Sequence, residues 1–465
     1  MSVPIVVRGG ILATNGTQLP LDTFSRVRTS LPVPHVLNLN VRSSSGYVMD
    51  GSVTGSATIV LNNTNGTPPA PTVSLTATGA VATSQAVRQS YTRVNYVPGI
   101  SRYYLFTSIL KDATNTAFTG LTALNQAYTR VGPYDNSFGL FWQYDKFTDK
   151  IYVGILQDGL VVSQVAQDAF NVNDLTNITG LSPTSPVTVD FTKMQVLYID
   201  QEWLGVGAVR FGVYVENTLV IAHVFTNVNA LVKPYTATPN YPLRHEVYVT
   251  AAATGTLKYT ECCSACLNDE GTIPLTLPPT CVVLAYTTLD AVTLASPTGS
   301  NTYGLETAML AIRPTSSPSG IMNGINSFIT IRSIQGTVLS TSDIVLLRVY
   351  RVFSHLGQSA LGRVNYGSVT GGSWSNATAT APNFGDTGYP LGLMEVNSTI
   401  STSFTQGILI ATITATTSNT GLRFDPGAVP FGVALDGTAD IVLITASAGT
   451  NAPRLTVGFE WAQPT

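Results

Sequence analysis

Charge is what this sequence has least of. Only 11% of its 465 residues are Asp, Glu, Lys or Arg, against about 25% in an average soluble domain. Lysine is nearly absent, with six in all and none after Lys258. A formal net charge of −3 offers no basic field to a phosphate backbone, which excludes nucleic acid as a partner. No apolar run reaches the roughly 18 residues that a membrane-spanning helix needs. Glu and Lys are too few, and no heptad persists, so coiled coil is excluded as well. The opening MSVPIVVRGG holds too short an apolar stretch to read as a secretory signal. Cysteine is confined to Cys262, Cys263, Cys266 and Cys281. That spacing is not a distributed disulfide framework, and the expectation is synthesis in a reducing cytosol. With no secretory signal, the Asn-x-Ser/Thr triplets at Asn15, Asn62, Asn65, Asn177, Asn376 and Asn397 read as chance.

What the sequence does have is apolar and hydroxylic. Hydrophobic residues make up 44%, and there are 100 Ser plus Thr, 40 Gly and 26 Pro. β-Branched and aromatic residues recur throughout, which argues against disorder. The dominant pattern is period two, as in 345–353 (VLLRVYRVF), 407–414 (GILIATIT) and 210–215 (RFGVYV), punctuated by Gly, Pro, Asn and Ser. That is the signature of antiparallel sandwiches and barrels. Helical patterning is confined to 157–170 and 301–313 (NTYGLETAMLAIR), each good for a turn or two. No internal repeat is present, which excludes solenoids and propellers. The expected fold is mainly β, in four parts: an extended N-terminal arm over 1–50, a β-sandwich over 51–267, a Pro-rich linker over 268–280 and a second β-domain over 281–465. Within the sandwich, 62–72 (NNTNGTPPAPT) reads as a loop between strands.

Several constellations could carry chemistry. Asp200 and Glu202, in 198–204 (YIDQEWL), stand two apart, so a strand would turn both carboxylates to one face. Such a pair can serve as acid and nucleophile of a glycosidase. The plainer reading is a solvated strand face with Arg210 as partner, and Trp203 alternating into the core. Cys263 and Cys266 have the spacing of a zinc knuckle, which Cys262 and Cys281 would have to complete; buried thiols or one local disulfide are the alternatives. Asp168, Asn171, Asn173 and Asp174 make an oxygen-rich loop that could hold calcium or could simply be Asx turns. His35, His223, His245 and His355 stand in no metalloprotease spacing, and His223 alternates with apolar residues as a pleated-face side chain would. No nucleophile elbow or phosphate-cradling loop is present. Tyr91, Tyr96, Tyr103, Tyr104, Tyr235 and Tyr241 could furnish a glycan- or protein-contact surface, or pack across strands.

The stretch 187–213 (VTVDFTKMQVLYIDQEWLGVGAVRFGV) resembles a segment of virion structural proteins of tailed phages and large double-stranded DNA viruses. Their pattern runs D-x-x-K-x-Q-x-x-x-I-D-x-E-W-L-G-V-G-x-V-R-F-G, and here Asp190, Lys193, Gln195, Ile199, Asp200, Glu202–Gly207 and Val209–Gly212 fill it. Other pieces are collinear with the family: 24–30 (FSRVRTS, with Ser25 for Gly), 88–90 (RQS), 98–101 (PGIS), 139–144 (GLFWQY), 223–229 (HVFTNVN), 238–244 (TPNYPLR) and Cys262-Cys263. Asn227-Val-Asn229 departs from it, since members more often carry a His there. The likeness covers about 20–270 and nothing of 271–465. It implies a virion component on a concanavalin- or laminin-G-like sandwich, and no catalytic residue. Its shared segment also makes sense as a hairpin, with Met194–Trp203 and Val209–Val215 joined by a turn for which Gly205 and Gly207 supply positive φ.

The sequence therefore points to a non-enzymatic virion structural protein, either a minor capsid (cement or surface) component or a tail or fibre part. It would assemble through contacts with other virion proteins and with its own copies, as a trimer for instance, without cofactor or metal. An adhesin for host surface glycan is the alternative, and a polysaccharide depolymerase using Asp200 and Glu202 a third reading.

Overall fold

A computed structural model describes short segments within 6–19, then most residues of 33–39, 49–62, 72–79, 83–91 and 93–268, and, further on, strands and bordering turns between 281 and 464. The chain forms two compact units, the first holding Met1–Ile273 and the second beginning at Pro274. Among the described residues no helix is long and apolar enough to cross a membrane.

In the first unit β1 (Val6–Val7), β2 (Gly10–Leu12) and β3 (Gln18–Leu19) make a small antiparallel sheet. Fifteen further strands follow: β4 (Val33–Leu39), β5 (Met49–Thr54), β6 (Ser56–Leu61), β7 (Val73–Gly79), β8 (Ser84–Ser90), β9 (Arg102–Ile109), β10 (Ala127–Pro133), β11 (Gly139–Asp145), β12 (Lys150–Gln157), β13 (Leu160–Ala166), β14 (Gln195–Gln201), β15 (Val209–Val215), β16 (Thr218–Phe225), β17 (Leu243–Val249) and β18 (Gly255–Asn268). One sheet runs β13-β12-β11-β10-β17-β8-β5, and the other β16-β15-β14-β9-β18-β7-β6 with β4 also paired to β18. The chain crosses between sheets at β4/β5, β5/β6, β7/β8, β8/β9, β9/β10, β13/β14, β16/β17 and β17/β18, the winding of a jelly roll.

Alternation sets the two faces of each sheet. In β11, Trp142 points inward, meeting Phe211 of β15 at 5.8 Å between ring centroids and donating from Nε1 to the Tyr198 carbonyl of β14 at 3.3 Å. Val131, Val153, Val247, Leu197, Ile199 and Val213, all 0% exposed, fill the same layer.

The arm expected over 1–50 does not stand apart. Val36, Leu37, Asn38 and Leu39 of β4 pair with Cys266, Ala265, Ser264 and Cys263 of β18, and β5 begins at Met49. The 14-residue β18 is long enough to take β7 and then β4 along one edge, which is why the arm has a strand to join. Of the two stretches patterned for a turn or two of helix, one keeps a single turn and the other is corrected to a strand. Residues 157–170 hold the edge strand β13 and one 3-10 turn, Gln167–Ala169, and 301–313 gives the strand Thr307–Pro314. Thr307–Pro314 is buried at six of its eight positions; a short apolar run buried on both sides satisfies either period.

The shared segment is the expected hairpin. Asp200 faces Arg210 and Ile199 faces Phe211 in register. Leu204 and Gly205 carry positive φ, 36° and 84°. Gly207 does not. Glycine is needed there because a Cβ would overlap the Glu202 carbonyl oxygen, while the Gly207 N–H donates to the Trp203 carbonyl at 2.7 Å.

Among the described residues the second unit has two larger antiparallel sheets and a two-stranded one of Ser368–Val369 and Phe404–Thr405. One of the larger sheets orders Cys281–Thr287, Arg454–Pro464, Thr330–Val338 and Thr420–Arg423; the other centres on Val345–Leu356, Ile441–Ala448 and Thr307–Pro314. Met309, Ile334, Leu347, Ile444, Val457 and Phe459 share its apolar core. The expected linker lies mostly outside the described residues.

Candidate binding face

The carboxylate pair is not a solvated face. Asp200 is 0% and Glu202 1% exposed. Asp200 Oδ2 accepts from Arg210 Nε at 3.1 Å and from its Nη2, and Oδ1 accepts from Ser101 Oγ at 3.0 Å. Arg210 is thus the partner the sequence suggested, but buried with it, and both Asp200 oxygens are engaged. Glu202 lies beyond the end of β14, beside the half-buried Trp203, whose ring meets Tyr96 edge-on at 5.7 Å.

The cysteines are split by the pleat. Cys263 and Cys266, three apart on β18, fall on opposite faces, Cys266 inward and 0% exposed. A register shift after Glu261 instead brings the Cys262 and Cys263 sulfurs to 3.5 Å. The side chain of Cys281 lies outside the described residues, among which no group of three or more His, Cys, Asp or Glu is placed to hold a metal ion. Burial pushes the Cys266 thiol up to about 12. Cys266 should therefore resist iodoacetamide in the native protein at pH 8 and react only on unfolding, which peptide mass spectrometry reads directly; labelling of the native chain within minutes would contradict this placement.

The oxygen-rich loop is used up in local bonds. Asp168 pairs with Lys150 at 2.6 Å, and Asn171 exchanges bonds with the Val224 backbone. Asn173 and Asp174 accept from the N–H groups of Leu175 and Thr176, as Asx turns do. His223 Nδ1 accepts the Asn171 N–H at 3.3 Å, and burial lowers its pKa to about 4. The six singled-out tyrosines are all buried, from 0% exposed at Tyr104 to 8% at Tyr96, so they are packing residues and not a contact surface.

A second cluster locks the two sheets together. Arg88 of β8 forms an ion pair with Glu261 of β18, which also lies 3.1 Å from His245 Nε2 of β17. Tyr259 Oη stands 2.8 Å from His245 Nδ1, and Asn38 Nδ2 donates to Glu261 at 3.3 Å. Burial first, then the Arg88 charge, holds His245 well below its usual range.

The polar side chains that converge outside the core lie on the outer face of the seven-stranded sheet. Register stacks Tyr248, Tyr128 and Gln85 in one row, Glu246, Arg130 and Gln143 in the next, and Arg244 and Gln89 beyond. The Tyr128 and Tyr248 rings stack at 5.2 Å. Glu246 accepts from Tyr128 Oη at 2.9 Å, Tyr134 Oη at 3.1 Å, Gln85 Nε2 at 2.7 Å and Arg244 Nε at 3.0 Å. Burial works against its charge, but the charges of Arg244 and then Arg130, with the Gln85 and Tyr128 hydrogen bonds, outweigh it and lower its pKa to about 2. Arg244 also donates to Asn136 Oδ1 at 2.7 Å. The Arg130 Cζ lies over the Phe141 ring at 4.1 Å and over the Tyr128 ring at 4.3 Å from the centroids, and the side chain gives Nε and Nη2 to Gln143 Oε1. Gly154 makes the room, since a Cβ there would overlap the Phe141 ring. Sequence reasoning missed this face. Its one local signal is charged and aromatic residues at alternate positions, Tyr128-x-Arg130 and Arg244-x-Glu246-x-Tyr248.

No family model matches the sequence, and no curated protein matches it. Among solved structures, a lectin from Bauhinia forficata in complex with GalNAc is 10% identical, covering 52% of this chain and 100% of its own, with a TM-score of 0.29. A carbohydrate binding module from Bacillus subtilis is 12% identical over 45% of this chain and 92% of its own, TM-score 0.21. Bacillus licheniformis β-glucanase is 9% identical over 51% and 98%, TM-score 0.27. At these scores the likenesses carry no argument about what this chain binds, and the fold description rests on its own strand order and register.

Proposed function

We propose that the chain is a non-enzymatic carbohydrate-binding component of a virus particle, with the outer face of the seven-stranded sheet as its binding surface. One observation carries the binding half. Stacked aromatic rings, two guanidiniums, a carboxylate and carboxamides converge on one sheet face, with Tyr248, Gln85 and Gln89 half-buried and Asn136 exposed along it. Rings that stack on sugar faces and forked donors that meet hydroxyls are the chemistry a glycan requires. The virion half is supported by the collinear sequence likeness over 20–270. The non-enzymatic reading is supported by Asp200, whose oxygens are held by Arg210 and Ser101.

On a glycan array the full chain should bind a subset of oligosaccharides saturably, and Tyr248→Ala or Gln89→Ala should weaken that binding at least tenfold without moving the thermal midpoint by more than about 2 °C. Unchanged binding in both variants would remove this face from the account. Peptides of the chain in gradient-purified particles test the virion half, and light scattering on the eluted chain tests whether it is the trimer expected of a spike or fibre.

A further inference from the structure

We infer that Arg130 is an anion receptor, so that the glycan taken by this face carries an acidic group, a carboxylate or a sulfate. This rests on the glycan reading and names its ligand class. Arg130 is 5% exposed, yet no carboxylate lies within ion-pair distance of it among the described residues; its contacts are Gln143 and the rings of Phe141, Tyr128 and Tyr134. The Glu246 charge reaches Arg130 only across the row, without an ion pair, and a buried cation left without a direct partner is costly. The neighbouring carboxylates are spoken for. Glu246, opposite Arg130 in register, is paired with Arg244 at 2.9 Å and bonded by two tyrosines and Gln85. Asp145 accepts from the backbone N–H groups of Asn125, Phe147 and Thr148. Neither carboxylate is bonded directly to the Arg130 guanidinium.

The guanidinium is also held ready. It sits over the Phe141 ring, and Gln143 takes Nε and Nη2, itself anchored through Nε2 to Asn125 Oδ1 at 2.7 Å. Among the described residues Nη1 has no hydrogen-bond partner. A planar guanidinium fixed in this way favours carboxylate and sulfate oxygens over neutral hydroxyls.

Calorimetric titration of the full chain tests this, with 3′-sialyllactose, lactose 3′-sulfate and tetragalacturonate set against lactose and methyl-esterified tetragalacturonate. At least one acidic ligand should bind tenfold or more tighter than its neutral parent, with affinity falling as NaCl rises. Arg130→Gln should bring that ligand down to the neutral parent's level, and Arg130→Lys should keep part of the preference. The carboxylate and sulfate arms show which anion is preferred. Equal binding of acidic and neutral parents, or an unchanged preference in Arg130→Gln, overturns the anion receptor and leaves the glycan reading standing. No binding here or on the array overturns both. If Arg130→Gln fails to fold, the wild-type acid-to-neutral ratio and its salt dependence decide.

Discussion

Arg88→Met is expected to cost the N-terminal sandwich about 3–5 kcal/mol, the loss typical when one partner of a buried ion pair is removed. Arg88 is 4% and Glu261 0% exposed, so the substitution leaves a carboxylate between two sheets without its cation, beside Asn38 and a neutral His245. The double variant Arg88→Met/Glu261→Met should recover most of the loss, because the uncompensated charge goes with the second change. Urea unfolding of the three proteins measures both quantities. A single-variant loss below about 1 kcal/mol would mean that the pair is not buried as described.

Acid should destabilise the same sandwich in two steps. His223 and His245 titrate near 6.5 when unfolded but are held at about 4 and well below 6.5 in the fold, both chiefly by burial. The unfolded chain then binds more protons, so their contribution is complete above pH 6.5 and is lost as pH falls below it. Glu246 follows. Its folded pKa of about 2 lies under the ordinary 4.5, so its contribution is present above pH 4.5 and is lost between there and pH 2. The full shift corresponds to about 3 kcal/mol at roughly 1.4 kcal/mol per unit. Asp145, raised by burial, works in the opposite sense. The urea midpoint should therefore fall steadily from pH 7 to pH 3, and His223→Gln should flatten the part between 6.5 and 4. A midpoint constant across that range would contradict the placement of all three groups.

What the sequence made legible follows from what is local. Alternation and turn residues located the strands, and the 187–213 hairpin could be drawn from Gly205 and its flanking periods, because a two-strand unit needs no information from elsewhere in the chain. The role of Gly207 could not be drawn that way, since it depends on where the Glu202 carbonyl lies. The tyrosines were legible as packing residues only in part: polarity of the hydroxyl suggests a surface, whereas Gln201 donates to the Tyr235 hydroxyl inside the fold. The binding face was not legible at all as a site. Its members come from 85–89, 125–166 and 244–248, and only the register of β8, β17, β10, β11 and β12 makes them neighbours. Asp200 and Glu202 misled for the converse reason. Their spacing is local, but the burial that turns Asp200 into the partner of Arg210 is set by the packing around the hairpin.

The most direct test of the central claim is to incubate the full chain with isolated host envelope polysaccharide and measure retention and reducing-end release in the same sample. Saturable retention that Tyr248→Ala weakens, with reducing ends no higher than in the blank, is the predicted result. Release of reducing ends that Glu202→Gln abolishes would contradict the non-enzymatic reading, and absence of retention would contradict the binding one.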